Sequence, residues 1–224
     1  MHVSSIYVAG AALAFSQVGL GQEAPMAEPP LSYSLTIDGQ SYAVEAGKPL
    51  KIDGSFTNPR VELVVGDVRL FNFEGVRFKY PAQFSFKAER NAALSSWALT
   101  GEACEQCILY LYLLAEPIDP AQFGRLLAAQ YQNADGTVPE RVEATRELGE
   151  LSLAGVKLEA VTGAAAEGQG IVQEIYQPDG EGGRRLLILQ YPSNLDELPE
   201  AQAAEINALL ASLEASFAYA APVE

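Results

Sequence analysis

The chain has 224 residues, with 14 Lys and Arg against 29 Asp and Glu, which gives a formal net charge of −15. Such an acidic surface repels phosphate backbones and anionic lipid, so nucleic acids and membrane surfaces are disfavoured as partners. The only histidine is His2, and the segment that contains it is predicted below to be removed. The mature chain would then have no imidazole for Ser-His-Asp or Cys-His catalysis, or for a His-ligated metal site.

The first 21 residues have the pattern of a signal peptide. They contain no Asp, Glu, Lys or Arg, and an apolar run from Ile6 to Phe15 precedes the small-x-small site Gly19-Leu20-Gly21. This pattern predicts cleavage after residue 21 and a secreted or periplasmic protein. The alternative is retention as an anchor, but the run is shorter than the roughly 20 residues that span a bilayer. Residues 22–30, rich in Pro, Ala and Glu, are predicted to be a disordered leader.

The next part of the chain alternates apolar and polar residues. LSYSLTI and QSYAVEA flank Asp38-Gly39, a dipeptide typical of a tight β-hairpin turn. Further short extended runs are PLKIDGSF, RVELVVG and DVRLFNF, divided by Gly and Pro. Residues 31–74 are therefore predicted to be an N-terminal β-hairpin element.

A second series of elements begins at Gly75. Strands are predicted for VRFKYP, FSFKAE, SSWALTG and the apolar run from Cys107 to Leu114. Asp119-Pro120 predicts the start of a helix, as an N-cap followed by Pro at the first position. After the polar connection NADGTVPERVEATRE come three predicted strands, SLAGVKLEAV, GIVQEIYQ and RLLILQYP, and a final helix near Pro199.

This order of elements predicts an α+β fold, an antiparallel sheet with helices packed on it. The α+β domain is predicted to cover residues 75–219, followed by a tail at 220–224. The final helix carries an apolar stripe, and its acidic residues are predicted to lie on its solvent face: Glu197, Glu200, Glu205 and Glu214.

Three segments of this domain carry a resemblance to a known family. They are VRFKYPAQFSF, ILYLYLLAEPIDPAQFGRLLAAQ and GGRRLLILQYPS with the final helix. The region from about residue 75 to residue 217 resembles the PsbP-like fold, named for an extrinsic subunit of photosystem II and shared by exported bacterial proteins. The resemblance implies an αβα sandwich around an antiparallel sheet and a role in binding a partner. It carries no active-site or ion-binding residue onto this chain.

Cys104 and Cys107 are the only cysteines and form a Cys-x-x-Cys motif directly before a predicted strand. Thioredoxin-like enzymes place this motif at a helix N-terminus, which stabilises the thiolate. Here Glu102 and Glu105 lie beside the thiols, and nearby negative charge raises a thiol pKa. A disulfide that closes the loop is expected in an oxidising compartment. Free inert thiols, a redox pair and a zinc site completed by other ligands are the alternatives.

Aromatic residues on the predicted strands are the remaining candidates for a site. A ligand groove could be lined by Trp97, Tyr110, Tyr112, Tyr176 and Tyr191, because tyrosine offers a flat apolar body with a polar tip. Filling of the core is the alternative for the same side chains.

These patterns predict an exported, non-catalytic module that binds a protein partner or a small ligand in the cell envelope. The alternative is a thiol-disulfide redox protein that uses Cys104 and Cys107. No catalytic residue, metal site or cofactor is predicted, and neither is a stable membrane span after cleavage of the signal segment.

Overall fold

A computed structural model of the chain describes residues 27–44, 48–131, 138–162 and 169–220. The predicted signal peptide, most of the predicted leader and nearly all of the predicted tail lie outside the described residues.

The described residues form two antiparallel sheets and two α-helices. The small sheet has the order β12-β4-β3-β1-β2, and the large sheet has the order β5-β6-β7-β11-β10-β9-β8. The first seven strands are β1 (Leu31–Ile37), β2 (Gln40–Val44), β3 (Val61–Phe73), β4 (Val76–Pro81), β5 (Ser85–Arg90), β6 (Leu94–Thr100) and β7 (Ile108–Leu114). After them come α1 (Pro120–Gln130), β8 (Arg141–Leu148), β9 (Leu151–Thr162), β10 (Gln169–Tyr176), β11 (Arg185–Pro192), α2 (Glu200–Ser216) and β12 (Ala218–Tyr219).

Two local predictions from turn and cap residues are confirmed. Asp38 and Gly39 adopt φ values of 49° and 86° between β1 and β2, the left-handed turn that joins a tight hairpin. Asp119 caps α1, because its side chain accepts a hydrogen bond from the backbone N–H of Gln122 at 2.6 Å, with Pro120 at the first helical position.

The core lies on both faces of the large sheet. One face packs against β3 and β4 of the small sheet and against α2, and this layer buries an aromatic cluster around Phe71, Phe78 and Trp97. The rings of Phe71 and Phe78 stack with centroids 4.6 Å apart. The opposite face is covered by α1, which packs on β8, β9 and β10 through Phe123 and Leu127.

The predicted α+β fold class, an antiparallel sheet with helices packed on it in an αβα sandwich, is wrong. The described chain is mostly β, a sandwich of two sheets with only two α-helices. The physical reason is that β3 and β4 fold over the large sheet and bury much of the apolar face that helices were expected to cover.

Three strand predictions differ from the structure. RVELVVG and DVRLFNF form one strand of 13 residues, β3, and PLKIDGSF contains no strand. The polar connection contains an edge strand, β8, which among the described strands pairs only with β9. Its outward residues are solvated, so its sequence shows little of the apolar alternation that marks a half-buried strand.

The small sheet also joins strands from the predicted N-terminal element, residues 31–74, with strands from the predicted domain, residues 75–219. β3 ends at Phe73 and β4 begins at Val76, on either side of the predicted boundary between residues 74 and 75. The two strands pair from Val68↔Pro81 to Phe73↔Val76.

Candidate functional site

The Cys-x-x-Cys motif forms a turn that leads into β7. The backbone N–H of Cys107 donates to the carbonyl of Cys104 at 2.8 Å, and the N–H of Gly101 donates to the carbonyl of Cys107 at 2.9 Å. Both cysteines are buried, with 4% and 2% of their surface exposed, and both are free thiols. The disulfide expected from the sequence is therefore not formed in this structure.

A carboxylate from α2 fixes this turn in place. Glu205 accepts hydrogen bonds from three consecutive backbone N–H groups, those of Glu102 at 2.9 Å, Ala103 at 3.3 Å and Cys104 at 2.8 Å. The approach is so close that a Cβ at Gly101 would lie 2.4 Å from Glu205 Oε2. Glu205 is only 5% exposed, so its predicted position on the solvent face of α2 is wrong.

The surroundings of the two thiols disfavour thiolate chemistry. Burial, aided by the neighbouring Cys104 and Glu205, raises the pKa of Cys107 to about 12. Burial also raises the pKa of Cys104, against the lowering effect of two backbone hydrogen bonds. Because the thiolate is the nucleophile, both side chains are poor attacking groups at neutral pH. Within the described ranges, no group of three or more His, Cys, Asp and Glu side chains could hold a metal ion.

A second polar cluster lies between β8, β10, β11 and α2. Arg146 binds the buried carboxylate of Glu174 through two contacts, Nε to Oε2 at 2.8 Å and Nη2 to Oε1 at 3.1 Å. Two tyrosine hydroxyls also donate hydrogen bonds to the Glu174 carboxylate, Tyr176 at 3.0 Å and Tyr191 at 2.7 Å. The fourth element, α2, contacts the cluster through Glu214, whose Oε1 lies 3.1 Å from Nη1 of Arg146.

The pKa values in this cluster follow from burial and hydrogen bonding. Burial alone would raise the pKa of Glu174, but the hydrogen bonds from Arg146 and the two tyrosines outweigh it and hold the pKa below its usual value. Burial, aided by the Glu174 carboxylate, raises the pKa of Tyr176 to about 12 and that of Tyr191 well above its usual range. The cluster is therefore an ionised pair with protonated tyrosines at neutral pH.

An open groove of about 420 Å³ runs over this cluster. It is lined by Arg146, Glu174, Tyr176 and Glu214, together with Ala144, Thr145 and Glu147. The Glu174 carboxylate already accepts four hydrogen bonds, so it has no unused acceptor for a proton transfer. The chemistry that this arrangement supports is the anchoring of β8, β10 and α2 to each other.

The five predicted groove aromatics do not line one groove. Trp97 is 2% exposed and lies in the main core, where its ring packs 5.7 Å from that of Phe73. Tyr110 and Tyr112 stack 5.7 Å apart on the α1 face of the large sheet. Tyr176 and Tyr191 lie on the opposite face with Glu174.

Four of the exposed large apolar side chains lie on a three-stranded arm, defined as β1, β2 and residues 61–66 of β3. Val61, Leu63 and Val65 are 55%, 59% and 55% exposed, and they pair across β1 with Ile37, Leu35 and Tyr33. Because side chains alternate along a strand, these three residues share one face of the arm. Val64, on the other face, is 43% exposed.

The sequence contains signals for two buried carboxylates, Glu205, which was predicted on the solvent face, and Glu174, which was not predicted as a site residue. Glu205 precedes Leu209 and Leu213 at the spacing of one helical face, so it falls on the buried stripe of α2. Glu174 interrupts a strand that is otherwise buried on both faces, and a charge in such a run requires a partner. Arg146, in the missed edge strand β8, had no comparable signal.

Among the described residues, no helix is long and apolar enough to cross a membrane. A scan against protein-family models found no match for this chain, and neither did a search of curated proteins. The resemblance to the PsbP-like fold stays a prediction.

Proposed function

We propose that this chain is an exported, non-catalytic protein that binds a protein partner in the cell envelope through the arm. The observation that carries this proposal is the exposed row Val61, Leu63 and Val65. Contiguous apolar surface of this kind is uncommon on soluble monomers and marks surfaces that contact other proteins. Export rests on the signal-like pattern of residues 1–21.

A protein partner is favoured over a small ligand by the shape of the surface. The groove over Arg146 and a second groove beside α2, of about 570 Å³, are both open to solvent. Small-molecule sites bury most of the surface of their ligand in a cleft or cavity. A row of exposed side chains on a sheet instead fits the broad, shallow contact that proteins make with each other.

The thiol-disulfide alternative lacks a supporting observation. Catalytic thiols are partly exposed and have a lowered pKa. Cys104 and Cys107 are buried, and their pKa values are raised.

Site-specific photo-crosslinking in the native cells tests the proposal. A photoreactive side chain is placed at Leu63, 59% exposed, and in a matched variant at Leu126, a leucine of α1 that is 48% exposed. We expect one discrete adduct from position 63, which mass spectrometry identifies, and none from position 126.

Adducts of equal yield at both positions, or none at position 63, would contradict a binding surface on the arm. A further substitution, Val65→Lys, places a charge on the same face. It should abolish the adduct from position 63 while leaving the amount of folded protein unchanged, since Val65 is 55% exposed.

A further inference from the structure

The arm has an unpaired edge as well as an apolar face. β3 pairs with β1 from Val61 to Val65 and with β4 only from Val68 to Phe73. On the β4 side of residues 61–66, none of the described strands pairs with β3. All five residues from Val61 to Val65 are exposed, so neither this edge nor its side chains are covered by the described part of the chain.

This edge lacks the features that usually keep sheet edges apart. Natural edges are guarded by Lys, Pro, bulges or inward-pointing charges. Residues 61–66 read VELVVG, with Glu62 as the only charge and no Pro or Lys. The bulge in the β1 and β3 pairing comes later, beyond the Tyr33↔Val65 pair. A row of free backbone N–H and C=O groups is a template for another strand.

The sequence of this edge is complementary to itself. In an antiparallel pair of two identical strands with Leu63 opposite Leu63, Val61 faces Val65 and Glu62 faces Val64. Residues that lie opposite each other share a face, so this register keeps Val61, Leu63 and Val65 of both copies on one continuous apolar face. It also places each Glu62 opposite a valine and not opposite the second Glu62.

We propose that the occupant of this edge is a second copy of the chain. Two copies pair antiparallel along residues 61–66 around a two-fold axis at Leu63, which joins the two arms into one six-stranded sheet. The interface is isologous, as in most protein dimers, because the same strand contributes from both sides. The inference rests on the proposed function, which is that a protein binds the arm, and it identifies that protein as a second copy of the chain.

Pairing in this register would cover the exposed apolar row at the edge of the arm. Val61, Leu63 and Val65 are more than half exposed in one copy, whereas Leu35 and Tyr33 of the neighbouring strand are half-buried. In the pair, each residue of the row gains an apolar side chain directly opposite. The strand of an unrelated protein would require a matching sequence, whereas a second copy supplies it.

The test uses charges at Val64, which faces Glu62 of the second copy and lies on the face away from the apolar row. Val64→Glu places like charges opposite each other twice per pair, and Val64→Lys places opposite charges there. Within one copy, Val64 and Glu62 pair with Ser34 and Thr36, which are uncharged, so neither variant creates a charged cross-strand pair inside a single copy. The double variant Glu62→Lys, Val64→Glu restores opposite charges with their positions exchanged.

Sedimentation velocity over a concentration series, with a reductant present, measures the dissociation constant of the mature protein. We expect a dimer. Val64→Glu should raise its dissociation constant by about 2-fold to 30-fold, and Val64→Lys should lower it. The double variant should return the dissociation constant toward that of the original chain. Because each copy carries a formal charge of −15, added salt should also tighten the dimer.

A chain that stays monomeric at all concentrations would overturn the inference. A dimer whose dissociation constant does not change with the charge at position 64 would also overturn it. Either result leaves the proposed function testable by itself. An adduct from position 63 that contains a different protein would then keep the arm as a binding surface and remove only the second copy as its occupant.

Discussion

The carboxylate of Glu205 on α2 lies 2.8 Å from the backbone N–H of Cys104, on the turn that precedes β7. The two residues are 101 positions apart in the chain, so this contact ties the final helix to the large sheet. Ser212 and Ser216 tie the same helix to β4, since Ser212 donates to the carbonyl of Lys79 and Ser216 accepts from its N–H, each at 2.8 Å. The Cys-x-x-Cys segment therefore serves as a docking point for α2.

The first prediction concerns the stability that Glu205 provides. Glu205→Ala leaves the N–H groups of Glu102, Ala103 and Cys104 without their acceptor, so we expect the free energy of unfolding to fall by about 3 kcal/mol. Urea denaturation measures this loss. Asn207→Ala, an exposed position on the same helix, is the control and should change stability by less than about 0.5 kcal/mol.

The second prediction concerns the close approach at Gly101. Gly101→Ala introduces a Cβ 2.4 Å from Glu205 Oε2 and 2.9 Å from the carbonyl of Cys104, so it should cost about 1 to 3 kcal/mol of unfolding free energy. In a Glu205→Ala background the cost should be smaller, because one of the two clashing groups is gone. A double-mutant cycle in urea tests the coupling, and strictly additive effects would show that Gly101 does not act through Glu205.

A third prediction concerns thiol reactivity. Because burial raises the pKa of Cys107 to about 12, its alkylation at pH 8 should be on the order of a thousandfold slower than that of an ordinary thiol. Iodoacetamide labelling followed by mass spectrometry gives the rate. Ala103→Cys adds an exposed thiol to the same turn and should label at the ordinary rate. Equal rates at positions 103 and 107 would contradict the buried, protonated state.

The fourth prediction is a pH dependence that arises from Glu174. Its pKa is lowered in the folded chain, so its ionised form stabilises the fold above the ordinary glutamate pKa of about 4.3, and this stabilisation is lost as the pH falls through the folded value. Glu174→Gln should cost about 3 kcal/mol at pH 7, and the difference from the unmodified chain should shrink between pH 5 and pH 3. Urea denaturation of both proteins over this pH range measures the difference in unfolding free energy. A difference that stays constant would exclude a lowered pKa for Glu174.

Much of the strand order followed from the sequence because local chemistry determines it. Asp38-Gly39 specifies a hairpin turn, and Asp119-Pro120 specifies a helix start, whatever the rest of the chain does. The layer arrangement did not follow, because it depends on which apolar faces meet. VRFKYP has the same alternation whether a helix or a second sheet covers it, and in the structure Phe78 packs against Phe71 of β3.

The site residues likewise divide into those that a local sequence pattern identifies and those that depend on distant contacts. The Cys-x-x-Cys motif was found by spacing, but its partner Glu205 lies 101 positions away from Cys104, beyond any local pattern. The sequence predicts the exposed row of the arm only as part of a strand, RVELVVG, since alternation alone does not distinguish an apolar face that is buried from one that is exposed.

The most direct test of the arm as a binding surface is its accessibility in the native cells. Leu63→Cys and Leu126→Cys are each labelled with a charged maleimide, in dilute purified protein and in intact cells. The native thiols are buried, so they contribute little background. We expect both new thiols to label in the purified protein, and only the one at position 63 to be protected in cells. Equal labelling of both thiols in cells would contradict the account.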